Sequence, residues 1–129
     1  MYRIFNIKLD IFSVIHNIDI KKTAIETLTL EANAVQQLTQ KIGDDFVTVV
    51  NSILSLTGRV IVTGIGKSAI IAQKIVATLN STGTPSIFMH AADAIHGDLG
   101  IIQKNDLIIA ISKSGNTPEI KVLVPFLKQ

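Results

Sequence analysis

The sequence predicts an α/β protein built on a doubly wound parallel sheet, and three observations carry that prediction. Short, nearly continuous apolar runs recur down the second half of the chain, at Val60-Ile61-Val62, Ser86 to Met89 and Leu107 to Ile111. Such runs suit strands buried on both faces of a parallel sheet. Segments with helical periodicity separate them, so consecutive strands are expected to join through right-handed βαβ crossovers. Two glycine-bearing loops, Gly64 to Ala69 and Ser112 to Thr117, each follow a strand and open a helix. That is the carboxyl end of the sheet, where open α/β folds bind ligands.

Taken in order, residues 1–20 are rich in isoleucine. Ile4, Ile7, Ile11, Ile15 and Ile18 recur at three or four residues, which fits a helix, while β-branching leaves a strand open. Arg3, Lys8, Asp10 and Asp19 interrupt the apolar run and no small-residue cleavage site follows, so the segment reads as neither signal peptide nor membrane span. From Lys21 to about Ile42, the positions Ile25, Leu28, Ala32, Val35, Leu38 and Ile42 trace one helical stripe, predicting an amphipathic helix. Gly43 reads as its stop. Asp44 and Asp45 read as the N-cap of a second helix whose buried face is Phe46, Val49, Val50, Ile53 and Leu54, ended by Gly58.

After the first strand, residues 67–81 are expected to be helical, ending at Thr82-Gly83, and Pro85 leads into the second strand. A short helical link precedes the third strand. Thr117-Pro118-Glu119 then starts a helix with Thr as N-cap and Pro in the first position, a helix expected to reach the C-terminus. Three strands make a thin sheet and the last helix carries no closing signal before Gln129, so the sequence reads as part of a longer domain.

Composition narrows the function. With 47 % apolar and 17 % charged residues, the chain should bury a core rather than stay disordered. Twelve Lys plus Arg against ten Asp plus Glu leave a net charge of +2, too small for a nucleic-acid footprint. The absence of cysteine excludes disulfides, thiolate catalysis and cysteine-ligated zinc, and makes a reducing cytoplasm the default compartment.

The loops carry the chemistry. In Gly64-Ile65-Gly66-Lys67-Ser68-Ala69, a strand-to-helix turn offers backbone N–H groups and a helix dipole to a phosphate or carboxylate. A P-loop would need glycine at Ile61, inside the strand. A dinucleotide fingerprint would need an acidic residue where Met89 and His90 stand. The plain alternative is a tight turn with Lys67 on the surface. The second loop, Ser112-Lys113-Ser114-Gly115-Asn116-Thr117, sets three hydroxyls and an amide before a helix. These groups suit phosphate oxygens, and equally suit an ordinary polar loop capped by Thr117. The stretch His90 to Gly100 holds two histidines beside Asp93 and Asp98, residues able to move protons or bind a metal. Glu119 falls in the first turn of the last helix, where its charge suits the dipole and where it also faces the expected ligand end.

Across GRVIVTGIGKSA, ATLNSTGTPSIFMHAADAIHGDLG and IAISKSGNTPEI, the chain resembles the sugar isomerase (SIS) domains of the D-arabinose 5-phosphate isomerase family, over about residues 22–129. Residues 1–21 then form an N-terminal extension of unassigned role. The resemblance implies a three-layer αβα sandwich, here with N-terminal helices. It implies aldose–ketose isomerisation of D-arabinose 5-phosphate and D-ribulose 5-phosphate through an enediol, supplying 3-deoxy-D-manno-octulosonate for lipopolysaccharide or capsule.

By correspondence Lys67 and Glu119 are the catalytic positions. Gly83, Thr84, His90, His96, Ser112, Ser114, Gly115, Asn116 and Thr117 are the substrate-binding positions. No cofactor is required, although His90 is a candidate ligand for a divalent metal such as zinc. The resemblance further implies a cytoplasmic homo-oligomer, dimer or tetramer, whose partner is a phosphorylated sugar rather than nucleic acid or membrane. The sequence departs from the family pattern at Ala69, where glycine is common, at Asp93, where glutamate is usual, and in a further glutamate and histidine absent from these 129 residues. Little isomerase activity is therefore expected of the 129 residues alone. The competing function is a phosphosugar sensor without turnover, since the same fold serves both.

Overall fold

A computed structural model describes residues 19–127 and divides the chain into two units, residues 1–47 and 48–129. The isoleucine stripe of residues 4–18 lies outside the described residues. In the first unit, Asp19 caps helix α1 (Ile20–Gln37), its carboxylate accepting the Lys22 N–H at 3.0 Å. A 3-10 turn over Leu38–Lys41 follows, and Ile42 is extended. The helix predicted over 21–42 thus tightens in its last turn. There the Thr39 hydroxyl donates to the Gln36 carbonyl at 2.8 Å, a local bond that competes with the helical ladder. No residue of α1 is buried.

Helix α2 (Asp44–Leu54) corrects two expectations. The Gly43 carbonyl accepts from the N–H groups of Phe46 and Val47, so Gly43 occupies the cap, and Asp44 and Asp45 lie in the first turn. The predicted buried face is largely uncovered: Phe46, Val49 and Leu54 are exposed, and Val50 and Ile53 are half-buried. Of these, Ile53 packs on the sheet core. The helix also ends before Gly58. The Ser55 hydroxyl donates to the Asn51 carbonyl at 2.9 Å, and Gly58 serves elsewhere: a Cβ there would run into the Asn105 carbonyl oxygen. Two backbones meet at that point, and only glycine leaves room.

In the second unit, strands β1 (Val60–Gly64), β2 (Ser86–His90) and β3 (Leu107–Ala110) form a parallel sheet in the order β2-β1-β3. The register pairs Val60 with Ser86 and Leu107, and Thr63 with Met89 and Ala110. The central strand β1 is buried throughout, as a continuous apolar run requires. Burying Val60, Ile61 and Val62 completely contributes about 1.5–3 kcal/mol each. The second strand runs one residue further than expected and the third ends one residue earlier.

Side chains alternate across β1. Val60 and Val62 pack with Ala72, Ile75, Val76 and Leu79 of α3 (Lys67–Ser81). Ile61 packs with Ala91 and Ala94 of the short helix α4 (Ala91–Ile95), and with Ile120 and Leu123 of α5 (Pro118–Leu127). Helices therefore cover both faces, the doubly wound three-layer arrangement that the sequence predicts. The expected helical link before β3 is α4 followed by a 3-10 turn over Asp98–Ile101.

The amino end of the sheet is tied by one ion pair. The Arg59 guanidinium donates to Asp106 Oδ2 at 2.8 Å and to the Ile101 carbonyl at 2.9 Å. The same carboxylate accepts the backbone N–H groups of Arg59 and Gln103, each at 2.9 Å. The Asp106 side chain is fully buried, which favours protonation, yet its hydrogen bonds to Arg59 win and lower its pKa to about 2.

Candidate functional site

The helices that follow β1 and β3 leave toward opposite faces of the sheet, because α3 packs on the Val60 side and α5 on the Ile61 side. A crevice opens between two such strands beyond their carboxyl ends. Its two walls are the Ile65-Gly66 turn and the Ser112–Thr117 loop.

The first wall depends on Gly66, which caps α3 at φ 56° and ψ −128°, a backbone conformation that L side chains avoid. The turn lets Lys67 begin the helix directly after the strand. Lys67 is exposed. On the second wall, the hydroxyls of Ser112 and Thr117 lie 2.9 Å apart, and Ser112 Oγ also accepts the Gly115 N–H at 3.1 Å. Ser114 Oγ accepts the Asn116 N–H at 3.1 Å. The Thr117 carbonyl accepts the Lys121 N–H at 3.0 Å, so Thr117 holds the cap position of α5, as expected. Pro118 has no N–H to lose there. Glu119 follows in the first turn, half-buried.

His90 ends β2 level with Gly64. Its ring packs edge-on against Phe88 with centroids 6.3 Å apart. Nδ1 is buried without a hydrogen-bond partner, and Asp93 Oδ1 lies 3.8 Å away. His96 follows α4 and is exposed. Among the described residues no group of three His, Asp or Glu side chains converges to hold an ion, and the carboxylate beside His90 is that of Asp93. His90 and Asp93 would supply two ligands at most.

Lys67, Glu119, His90, His96 and the residues Ser112, Ser114, Gly115, Asn116 and Thr117 thus belong to one end of the sheet. Gly83 and Thr84, the other two substrate-binding positions that the resemblance implies, lie at the opposite end, between α3 and β2. Helix α3 runs antiparallel to the strands and returns the chain to their amino end. There Asn80 pairs with the backbone of Ser86 through bonds of 2.8 and 3.0 Å, and Val60 N–H donates to the Pro85 carbonyl. A cavity of about 520 Å³ lined by Leu99, Ile102, Asp106, Ile108 and Phe126 among others reaches toward that end through Asp106 and shares none of the loop residues.

One residue of the site end escaped sequence reading. Thr63 is completely buried on β1, and its hydroxyl has no hydrogen-bond partner. The available signal was a hydroxyl at the end of an apolar strand run, just before the glycine turn. No helix among the described residues is long and apolar enough to cross a membrane.

Residues 53–129 match the SIS domain family. The chain is 50 % identical over 113 residues to arabinose 5-phosphate isomerase KdsD of Pseudomonas aeruginosa, covering 88 % of this chain and 35 % of that protein. It is 48 % identical over 103 residues to arabinose 5-phosphate isomerase GutQ of Escherichia coli K12, covering 80 % and 32 %. The chain therefore spans about a third of the length of these curated relatives. A solved structure of an E. coli CFT073 protein in complex with arabinose 5-phosphate superposes with a TM-score of 0.81 at 41 % identity, covering 87 % of this chain and 60 % of that one.

Proposed function

The chain belongs to the SIS domain family, and from that premise we propose that it binds a phosphorylated sugar in the crevice between β1 and β3 and serves aldose–ketose isomerisation of D-arabinose 5-phosphate and D-ribulose 5-phosphate. The observation that carries this reading is the Ser112–Thr117 loop. It presents paired hydroxyls and the N-terminus of α5 across from Gly66 and Lys67, at the switch point of the sheet. The Ser114 and Thr117 hydroxyls and the open N–H groups of the first turn of α5 would hold the phosphate.

The reaction removes a proton from C2 of the aldose and returns one to C1, while the hydroxyl proton passes from O2 to O1. The Glu119 carboxylate is assigned the carbon proton, and the Lys67 ammonium the charge that develops on the enediolate oxygen. His90 and His96 stand on the β2 side of the same sheet end and are assigned contacts to the sugar hydroxyls. The relatives' activity supports the reaction, and the sugar-phosphate complex of the solved homologue supports the substrate class.

A homo-oligomer goes with the same reading. The position of Gly83 and Thr84 at the far end of the sheet supports their contacting the sugar bound by a second copy, and the exposed apolar stripe of α1 supports self-association. Cytoplasmic supply of lipopolysaccharide or capsule precursors is the role we assign to the product.

Titration calorimetry tests the site. The chain should bind arabinose 5-phosphate saturably, inorganic phosphate should compete, and unphosphorylated arabinose should not. Glu119→Gln should keep affinity within about threefold while any turnover falls by on the order of 10²–10⁴. Absence of binding by the unaltered chain sinks the site. Unchanged turnover in Glu119→Gln removes Glu119 from the chemistry.

A further inference from the structure

Resting on the anion site described above, we propose that Thr63 is a positioning residue for the bound phosphate, acting by setting the direction of the hydroxyl hydrogen bonds in the Ser112–Thr117 loop. Thr63 is completely buried on the central strand, and its hydroxyl has no partner. A buried donor without an acceptor is costly, and valine would fill the same space without that cost. The hydroxyl therefore calls for an acceptor that the unliganded chain does not provide.

Alternation along the strands identifies one. Ile61 faces the α5 side, so Thr63, two residues on, faces it too. Its register partner on β3 is Ala110, whose methyl side chain offers no acceptor to the hydroxyl. The Thr63 carbonyl accepts the Ile111 N–H at 2.9 Å, the bond that closes the Thr63–Ala110 pair and holds the chain against β1 as far as Ile111. Ser112 comes two residues after Ala110, just past the end of β3, and continued alternation would place it on the Thr63 face, diagonal to Thr63 with Cα atoms roughly 8 Å apart.

Counting donors and acceptors shows what Thr63 adds. A serine hydroxyl donates once and accepts twice. Ser112 Oγ already accepts the Gly115 N–H, and its bond to Thr117 can run in either direction. If Thr117 donates, its hydrogen points back into the loop and away from an anion. If Thr63 donates to Ser112, both acceptor sites of Ser112 are filled. Ser112 must then donate to Thr117, and the Thr117 hydrogen is released toward a phosphate oxygen. An anion that draws the loop against the strand end closes this chain from Thr63 to Ser112 to Thr117 to phosphate.

The test uses the whole chain, Thr63→Val, Thr63→Ser and Ser112→Ala, with inorganic phosphate and arabinose 5-phosphate as probes. Thr63→Val should raise the Tm of the unliganded chain by a few degrees. It should weaken binding of both probes about fivefold, and Thr63→Ser should restore the affinity. In the Ser112→Ala background, Thr63→Val should cost nothing more, because the chain is already broken. Wild-type affinity in Thr63→Val overturns the inference, as do additive losses in the double variant. A fall in both Tm and affinity that serine does not rescue also overturns it, since that is the signature of packing alone. If the unaltered chain binds neither probe, the anion site itself fails and this inference fails with it; binding that is indifferent to Thr63 sinks the inference alone.

Discussion

The two ends of the sheet are built by opposite rules. At the amino end, Asp106 is fully buried and accepts from the Arg59 guanidinium and from two backbone N–H groups, and Gly58 lets the Asn105 backbone close in. At the carboxyl end, Thr63 Oγ1 and His90 Nδ1 are buried and unpartnered, and Gly66 holds a backbone that other residues avoid. One end satisfies its polar groups within the chain; the other leaves donors and acceptors unused. Unspent hydrogen-bonding capacity next to strained backbone marks the end that handles a ligand. The same contrast assigns stability to one end and binding to the other, and substitution can separate them.

The largest effect is expected from Asp106→Asn. Removing the charge strands the Arg59 guanidinium and places amide hydrogens against existing donors, which should cost roughly 3 kcal/mol, read as a loss in urea unfolding. Phosphate affinity, measured where the variant is still folded, should not change. A loss of affinity there would join the two ends functionally and break the comparison. Acid should produce a smaller version of the same loss. The Asp106 pKa falls from 3.8 to about 2 on folding, so its stabilising contribution is complete above about pH 4. It disappears as the pH drops through about 2, and amounts to roughly 2 kcal/mol. Unfolding curves between pH 5 and pH 2 should show this slope in the wild type and a shallower one in Asp106→Asn. Equal slopes would mean that other carboxylates govern acid stability.

Legibility in the sequence followed the same division. Strand runs and the helix over 67–81 could be read because their burial is local and periodic: Val60, Ile61 and Val62 need cover on both faces wherever they occur. The site loops could be read because glycine and hydroxyl residues at strand ends have few other uses, and their markers stand in family order. Partnerships between distant residues stayed hidden. Nothing in the sequence joins Arg59 to Asp106, which are 47 residues apart. Gly58 read as a helix stop because its contact with Asn105 is a tertiary fact. The face of α2 was misjudged because periodicity shows which side of a helix is apolar and says nothing of what covers it. For Gly83 and Thr84 a substrate contact follows from resemblance alone, and the direction of α3 places them at the end of the sheet away from the loops.

The smallest expected change in stability is at Gly66, where binding and stability separate most clearly. No atom stands within 4 Å of a Cβ built there, so Gly66→Ala meets no clash, unlike an alanine at Gly58. It meets only an unfavourable backbone, φ 56° with ψ −128°, which would cost roughly 1–3 kcal/mol if the turn stayed fixed. The chain can relieve that strain by rotating the turn, which re-aims the first N–H groups of α3 and the Lys67 side chain away from the crevice. Phosphate affinity should therefore fall about tenfold while the urea midpoint moves little. At the amino end the relation is reversed, with large losses of stability and unchanged affinity. If Gly66→Ala binds phosphate like the wild type, the turn only connects strand to helix, and the Ser112–Thr117 loop holds the anion without a second wall.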